Sequence, residues 1–373
     1  METTSFDTDL SLFKYDHLEQ LPAAYRDLEE PEREERITAA REALGDDVVL
    51  LGHNYQRREI VEHADFIGDS YQLSKHAADA DAPYVIFAGV TFMAESADII
   101  TDDDQTVILP SMEASCPMAG MAEALQVDVA WAEITAATDA NIIPITYMHS
   151  YADLKAFCAE QGGLVCTSSN AHRAFEWAFE RGDKVLFLPD KHLGENTAYR
   201  LGMEDDIVEW DPWDPESKDP AKVAEHDIIL WEGYCQVHER FRVSHIEQIR
   251  EEHPDAQVVV HPECRREVVE AADVVGSTST ICETVADADP GDTWAIGTEI
   301  HLARHLARWH PEVNVLPLCG DACMDCNAMR QIDPNYLTWV LEELVEGRER
   351  NVIEVAPEEK ELARVALDRM LEV

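Results

Sequence analysis

Three cysteines fall within eight positions near the end of the chain: Cys319, Cys323 and Cys326, in "LPLCGDACMDCNAM". Thiolates are soft-metal ligands, and three are one short of a closed zinc or iron–sulfur site. Read locally, C-x3-C-x2-C is the spacing that holds a cluster in radical S-adenosylmethionine enzymes, with three thiolates and one open iron. Against that reading, the motif begins late, only 47 residues follow Cys326, and Asp325 occupies the place of the usual aromatic residue. A zinc site would need a fourth ligand, and there is no second C-x-x-C to supply it.

A second arrangement draws on distant cysteines: Cys116 in "LPSMEASCPMAG", Cys235 in "LWEGYCQVHERF", and Cys326. Each follows the end of an expected strand. Three cysteines on a [4Fe–4S] cluster leave one iron free to act as a Lewis acid, the open position that catalytic metals keep. Any one of them, taken alone, reads as an ordinary buried core cysteine. Cys158, Cys264 and Cys282 keep that plainer reading.

The elements that must position these residues are legible as an alternation. Short β-branched runs such as "DVVLLG", "PYVIFAG", "QTVILP", "NIIPITYM", "KVLFLP", "HDIILWEG", "AQVVVHP" and "TWAIG" alternate with amphipathic helical stretches, which is the α/β signature. The strands fall into three groups, predicting three similar α/β/α three-layer units around a central site. The expected division is residues 1–115 with 327–373 for the first unit, 116–225 for the second and 226–326 for the third. The segment "PNYLTWVLEELVEG" and the tail are expected to pack back on one unit. Nearly every strand ends in polar residues: "HNYQ", "YMHS", "CTSSNA", "HPEC", "GSTST". Ligands in open α/β sheets bind at such carboxyl ends.

Charge bounds the function further. The 373 residues carry 76 Asp plus Glu against 29 Lys plus Arg, a formal net charge of −47, spread along the whole length. A diffuse acidic excess on an otherwise globular composition suits molar salt, where self-repulsion is screened within a few ångströms. This is expected of a halophile's cytoplasmic protein. No basic face for phosphate neutralisation is visible, so nucleic-acid binding is not expected. The start has no apolar signal-peptide core, and no run approaches the ~18 apolar residues of a membrane span. Nine cysteines in an intracellular protein point to metal binding or burial before disulfides.

With these residues in view, the sequence resembles the quinolinate synthase family of NAD biosynthesis. "LGHNYQ", "IGDSYQLS", "GVTFMAESA", "LPSMEASC", "ITYMHSYADLKAF", "CTSSNA", "LWEGYCQVH", "VHPEC" and "GSTSTI" occur in the family's order over roughly residues 48–330. The resemblance implies three pseudo-symmetric domains, each giving one cysteine (Cys116, Cys235 and Cys326) to a single [4Fe–4S] cluster per chain. Cys319 and Cys323 are then structural or a redox pair. It implies condensation of iminosuccinate with dihydroxyacetone phosphate to quinolinate, phosphate and two waters, with an aspartate oxidase or dehydrogenase supplying the unstable imine. It implies substrate contacts from His53, Ser70, Tyr147, Met148, His149, Ser168, His261, Pro262, Glu263 and Thr278, with Glu263, Tyr55 and Tyr147 as acid/base candidates. Of these, Ser168 and Thr278 stand where strands hand over to helices, and Ser70 resembles an N-cap. The chain departs from the family at His149, where asparagine is usual, at Asn327, where many members have proline, and at Gln236. Some relatives carry histidine at that last place, and His238 is a candidate to stand in.

Overall fold

The computed structural model describes residues 21–320, 323 and 325–373. The first twenty residues of the expected first unit therefore lie outside the described part. Fourteen strands among the described residues form three sheets. In the first unit these are β1 (Val48–His53), β2 (Phe66–Gly68), β3 (Tyr84–Ala88) and β4 (Thr106–Ile108). The second has β5 (Ile142–Tyr147), β6 (Leu164–Cys166), β7 (Lys184–Leu188), β8 (Ile207–Trp210) and β9 (Ile228–Trp231). The third has β10 (Gln257–Val260), β11 (Val274–Val275), β12 (Thr293–Gly297) and β13 (Asn314–Pro317), and β14 (Val352–Ile353) returns to the first sheet. The orders are β2-β1-β3-β4-β14, β6-β5-β7-β9-β8 and β11-β10-β12-β13. Every pairing is parallel except β14 against β4. The fold is thus α/β, built from three copies of one strand order.

The central strands are apolar on both faces because helices cover both faces of a parallel sheet. All residues of β1, β5, β7 and β9 are buried. The helices meet them with one apolar face, as in Ile300–Trp309, which buries Ile300, Leu302, Ala303 and Leu306. β9 pairs with β7 and β8, so the second sheet runs past the expected division at residue 225.

The C-terminal part serves two units. Helix Pro334–Val345 packs against Glu30–Leu44, and β14 extends the first sheet. A further helix that the sequence reading did not separate, Pro357–Glu372, lies on Ala152–Glu160 of the second unit. Arg369 there donates to the carbonyls of Ala159 and Gly163. No described helix is long and apolar enough to cross a membrane.

Candidate active site

The repeated strand order places equivalent strand ends at equivalent points. The first strand of each unit (β1, β5, β10) ends in His53–Tyr55, Tyr147–His149 and His261–Glu263. The second (β2, β6, β11) leads to a helix beginning at or near Ser70, Ser168 and Thr278. The third (β3, β7, β12) is followed by the N-cap residues Val90, Asp190 and Glu299. The fourth (β4, β9, β13) leads to Cys116, Cys235 and Cys326.

The first two levels line a pocket formed by residues from all three units. His53, Tyr55, Tyr147, Met148, His149, His261 and Glu263 come from the first level, and Ser70, Ser168 and Thr278 from the second. Pro262 is the expected contact that does not line it; its carbonyl accepts from Asn196 Nδ2 at 2.8 Å, which ties the third unit to the second. Ser70 is not a cap. Asp69 caps that helix through a capping box, and Ser70 is the first helical residue. Likewise Ser277 caps the helix that begins at Thr278. Helix starts at Ser70 and Thr278 therefore face the cavity, and helix N-termini favour anions. Asp69 also accepts a hydrogen bond from Ser279, joining these two helix starts across the unit boundary.

A polar chain runs through the buried wall. Tyr55 Oη lies 2.7 Å from Thr298 Oγ1, which lies 2.9 Å from His238 Nε2. His238 Nδ1 is 2.7 Å from Glu263 Oε2, His261 Nδ1 is 3.1 Å from the same oxygen, and His149 Nδ1 is 3.7 Å from Oε1. Glu263 Oε1 has no hydrogen-bond partner among the described residues. Burial opposes ionisation of Glu263, but the His238 and His261 rings outweigh it and hold the carboxyl well below its ordinary range. Burial pushes His53 down to about 3 and His149 down to about 4, so both rings are neutral at pH 7. Burial also lifts the phenols of Tyr55 and Tyr147 well above 10, which keeps them protonated. His53 Nδ1 accepts the Tyr55 N–H at 3.0 Å. A neutral ring used that way carries its proton on Nε2 and remains a donor. His149 stacks on Tyr147 with ring centroids 4.1 Å apart.

The cysteines of the fourth level converge behind this wall. An ionised Cys326 or Cys116 would act on Cys235, and Cys116 on Cys326, and Cys235 Sγ lies within 4.8 Å of ligating atoms of His238 and Glu263. Burial pushes the Cys116 thiol up to about 11, Cys326 up to about 12 and Cys235 well above 9. All three are free thiols, a donor set that fits a cationic iron centre. The loop of Cys235 is brought in by Gly233, where a Cβ would stand 2.4 Å from the Pro189 carbonyl. Cys319 and Cys323 form a disulfide with each other, which leaves Cys326 as the free thiol of the terminal triplet. A cluster held by that triplet, as the radical reading requires, has no support in this arrangement. Cys158 and Cys264 are fully buried core residues, and Cys282 is half-buried.

Sequence reasoning missed Asp69, Tyr71 and Thr167, which also line the cavity, and Thr298, which bridges Tyr55 and His238. Asp69 and Thr298 stand in "GDS" and "GTE", polar strand ends of the kind that marked the other residues.

Comparison with known proteins agrees over the whole chain. A family model described as NadA, Quinolinate synthetase A protein, matches residues 35–372. The chain is 82% identical over its full length and that of a quinolinate synthase from Haloarcula marismortui, and 81% identical, again over both full lengths, to one from Halobacterium salinarum. It is 50% identical to a quinolinate synthase from Acidobacterium capsulatum, covering 94% of this chain and 95% of that one. The three matching sets of strand ends and this similarity lead to one assignment: the chain belongs to the quinolinate synthase family.

Proposed function

We propose that the chain condenses iminosuccinate with dihydroxyacetone phosphate at the cavity, releasing quinolinate, phosphate and two waters, with a [4Fe–4S] cluster held by Cys116, Cys235 and Cys326. The observation that carries this reading is the junction itself: three free cysteines, one from each unit, directly behind a cavity lined by Glu263 and the tyrosines. When bound, such a cluster supplies a Lewis-acidic iron without a cysteine, which makes hydroxide a better leaving group in dehydration.

The residues of the chain do the rest. Helix starts at Ser70 and Thr278, the Ser168 hydroxyl and the Nε2–H of His53 bind carboxylate and phosphate oxygens; among the described residues no Lys or Arg lines the cavity. Glu263, ionised and with Oε1 unshared, is the base for the carbon- and nitrogen-bound protons that condensation, isomerisation and ring closure remove. Tyr55 and Tyr147, both protonated, are the acids that donate to departing or developing oxyanions. Thr298 and His238 hold Tyr55 and Glu263 in one network.

A second reading rests on the 4.8 Å grouping of Cys235, His238 and Glu263, which would suit a single transition-metal ion. One experiment separates the two: iron and acid-labile sulfide per chain after anaerobic purification in high salt, for wild type and for Cys116→Ala, Cys235→Ala and Cys326→Ala, with quinolinate formation assayed in parallel. Four irons and four sulfides in wild type, lost in each variant, support the cluster. Metal without sulfide, retained by Cys116→Ala and Cys326→Ala, supports the single ion.

A further inference from the structure

Asp190 and Glu299 occupy the third level of strand ends, which the proposed chemistry leaves without a role. Both are completely buried. Each caps the helix that follows the third strand: Asp190 Oδ1 accepts from Leu193 N, and Glu299 Oε2 from His301 N, both at 2.7 Å. A cap needs no more than this, and serine, threonine or asparagine would provide it at lower desolvation cost. In both residues, however, the second oxygen reaches across to the next strand's loop. Asp190 Oδ2 accepts the main-chain N–H of Cys235, and Glu299 Oε1 accepts that of Cys326, each at 3.2 Å.

The same device thus appears twice, in two units, at equivalent positions and with side chains of different length. The first unit lacks it. Val90 stands at its third level, and its cysteine loop is anchored by Thr91, whose N–H and hydroxyl both donate to the Ala114 carbonyl, two residues before Cys116. The main-chain part of that anchor recurs in the second unit as Lys191 N to the Gly233 carbonyl at 2.8 Å. In the second unit the carboxylate is therefore an addition to a loop already tethered.

We infer that Asp190 and Glu299 are positioning residues for the iron–sulfur cluster, each fixing the main chain of one ligand cysteine to the rigid end of its unit's sheet. The inference rests on the cluster reading above. Groups that orient a metal's ligands govern how tightly the metal is kept. They also decide where ligand amides point. An N–H given to a side-chain carboxyl is withheld from the cluster sulfurs, and hydrogen bonds to those sulfurs are one of the levers on a cluster's electronic properties.

The test uses the iron-loaded full chain in high salt and compares Asp190→Asn and Glu299→Gln with Asp219→Ala. Asp219 caps helix Pro220–Glu225 through Ala221 N at 3.0 Å and is hydrogen-bonded to no cysteine. The readouts are iron and sulfide per chain, the rate at which a ferrous chelator strips the iron, and the electron paramagnetic resonance signal of the dithionite-reduced protein. Asp190→Asn and Glu299→Gln are expected to release iron on the order of 10–100-fold faster than wild type, with a shifted signal. Asp219→Ala is expected to match wild type in both. Melting of the apoproteins separates loss of a cap, which Asp219→Ala suffers, from loss of the cysteine anchor, because asparagine and glutamine keep one oxygen to cap the helix. Should the amide variants not fold, Asp190→Glu and Glu299→Asp keep a carboxylate but move it by one methylene, and the same faster release is expected. Wild-type release rates and signals in these variants would overturn the inference while leaving the cluster reading intact. Wild type without iron and sulfide would instead overturn the cluster reading.

Discussion

Glu263 is an ionised carboxylate among imidazoles, two of which burial keeps neutral, His149 and His238, and its charge is what the proposed base chemistry uses. Glu263→Gln keeps the shape and removes the charge. Turnover should fall by roughly 10²–10⁴, the usual worth of a general base, with iron per chain unchanged; unaltered turnover would remove Glu263 from the mechanism. His149 carries a pH signature. Its folded-state pKa is depressed to about 4 by burial, against ~6.5 unfolded. Between those values the unfolded chain binds a proton that the native chain does not, so stability falls as pH drops from 6.5 toward 4. His149→Asn, which restores the residue usual in the family, should lose about 2 kcal/mol less than wild type between pH 6.5 and 4.5, measured by urea unfolding of apoprotein in high salt. At this scale the sequence was informative because the chemistry sits at strand ends, where an apolar run stops at His, Tyr, Glu or Ser. It was silent on Thr298 and Asp190, whose partners lie 243 and 45 residues away, and it misread the cap at Ser70 by one residue, because Asp69 is the better cap.

Elements place these residues through close backbone approach as much as through strand order. Two glycines show the difference between fold and site. A Cβ at Gly163 would lie 1.8 Å from the Pro144 carbonyl where β6 begins beside β5, and one at Gly233 would lie 2.4 Å from the Pro189 carbonyl beside the Cys235 loop. Either alanine should destabilise the chain by about 1–3 kcal/mol or more, the usual cost of overpacking. Only Gly233→Ala should also lower iron per chain, because only that clash is relieved by moving a proposed ligand loop. Thermal melting and iron content of the two variants, side by side, check this. The buried central strands were legible because parallel strands covered on both faces read as unbroken β-branched runs. Three edge strands were not: β2 is three residues long with two of them exposed, β14 is two residues, and β8 alternates. Pairing with a neighbour, and not pattern, makes them strands. Helix Pro357–Glu372 escaped separate notice because its buried face is Ala363, Ala366, Leu367 and Met370, where two alanines give little contrast with the charged residues around them.

For the molecule as a whole, the question is how a chain of net charge −47 attracts the two proposed anionic substrates to a cavity whose lining, among the described residues, holds no Lys or Arg. The donors there are helix starts, hydroxyls and neutral imidazole N–H groups, all of which act at contact distance. The field of 47 uncompensated carboxylates acts at longer range and opposes entry. Salt changes the second without touching the first: the screening length is about 10 Å at 0.1 M and about 3 Å at 1 M. KM for both proposed substrates should therefore fall as KCl rises from 0.1 M toward 2 M, in a range where melting shows the chain fully folded, with kcat changing less. Stability should rise over the same range, because the carboxylates also repel one another in the native state. The two effects separate by neutralising surface carboxylates far from the cavity, such as Asp102, Asp103 and Asp104 together, which sit on an exposed turn. That variant should shift both curves toward lower salt. If melting shifts and KM does not respond to salt at all, the acidic surface acts on folding alone, and substrates reach the cavity by a path its field does not govern.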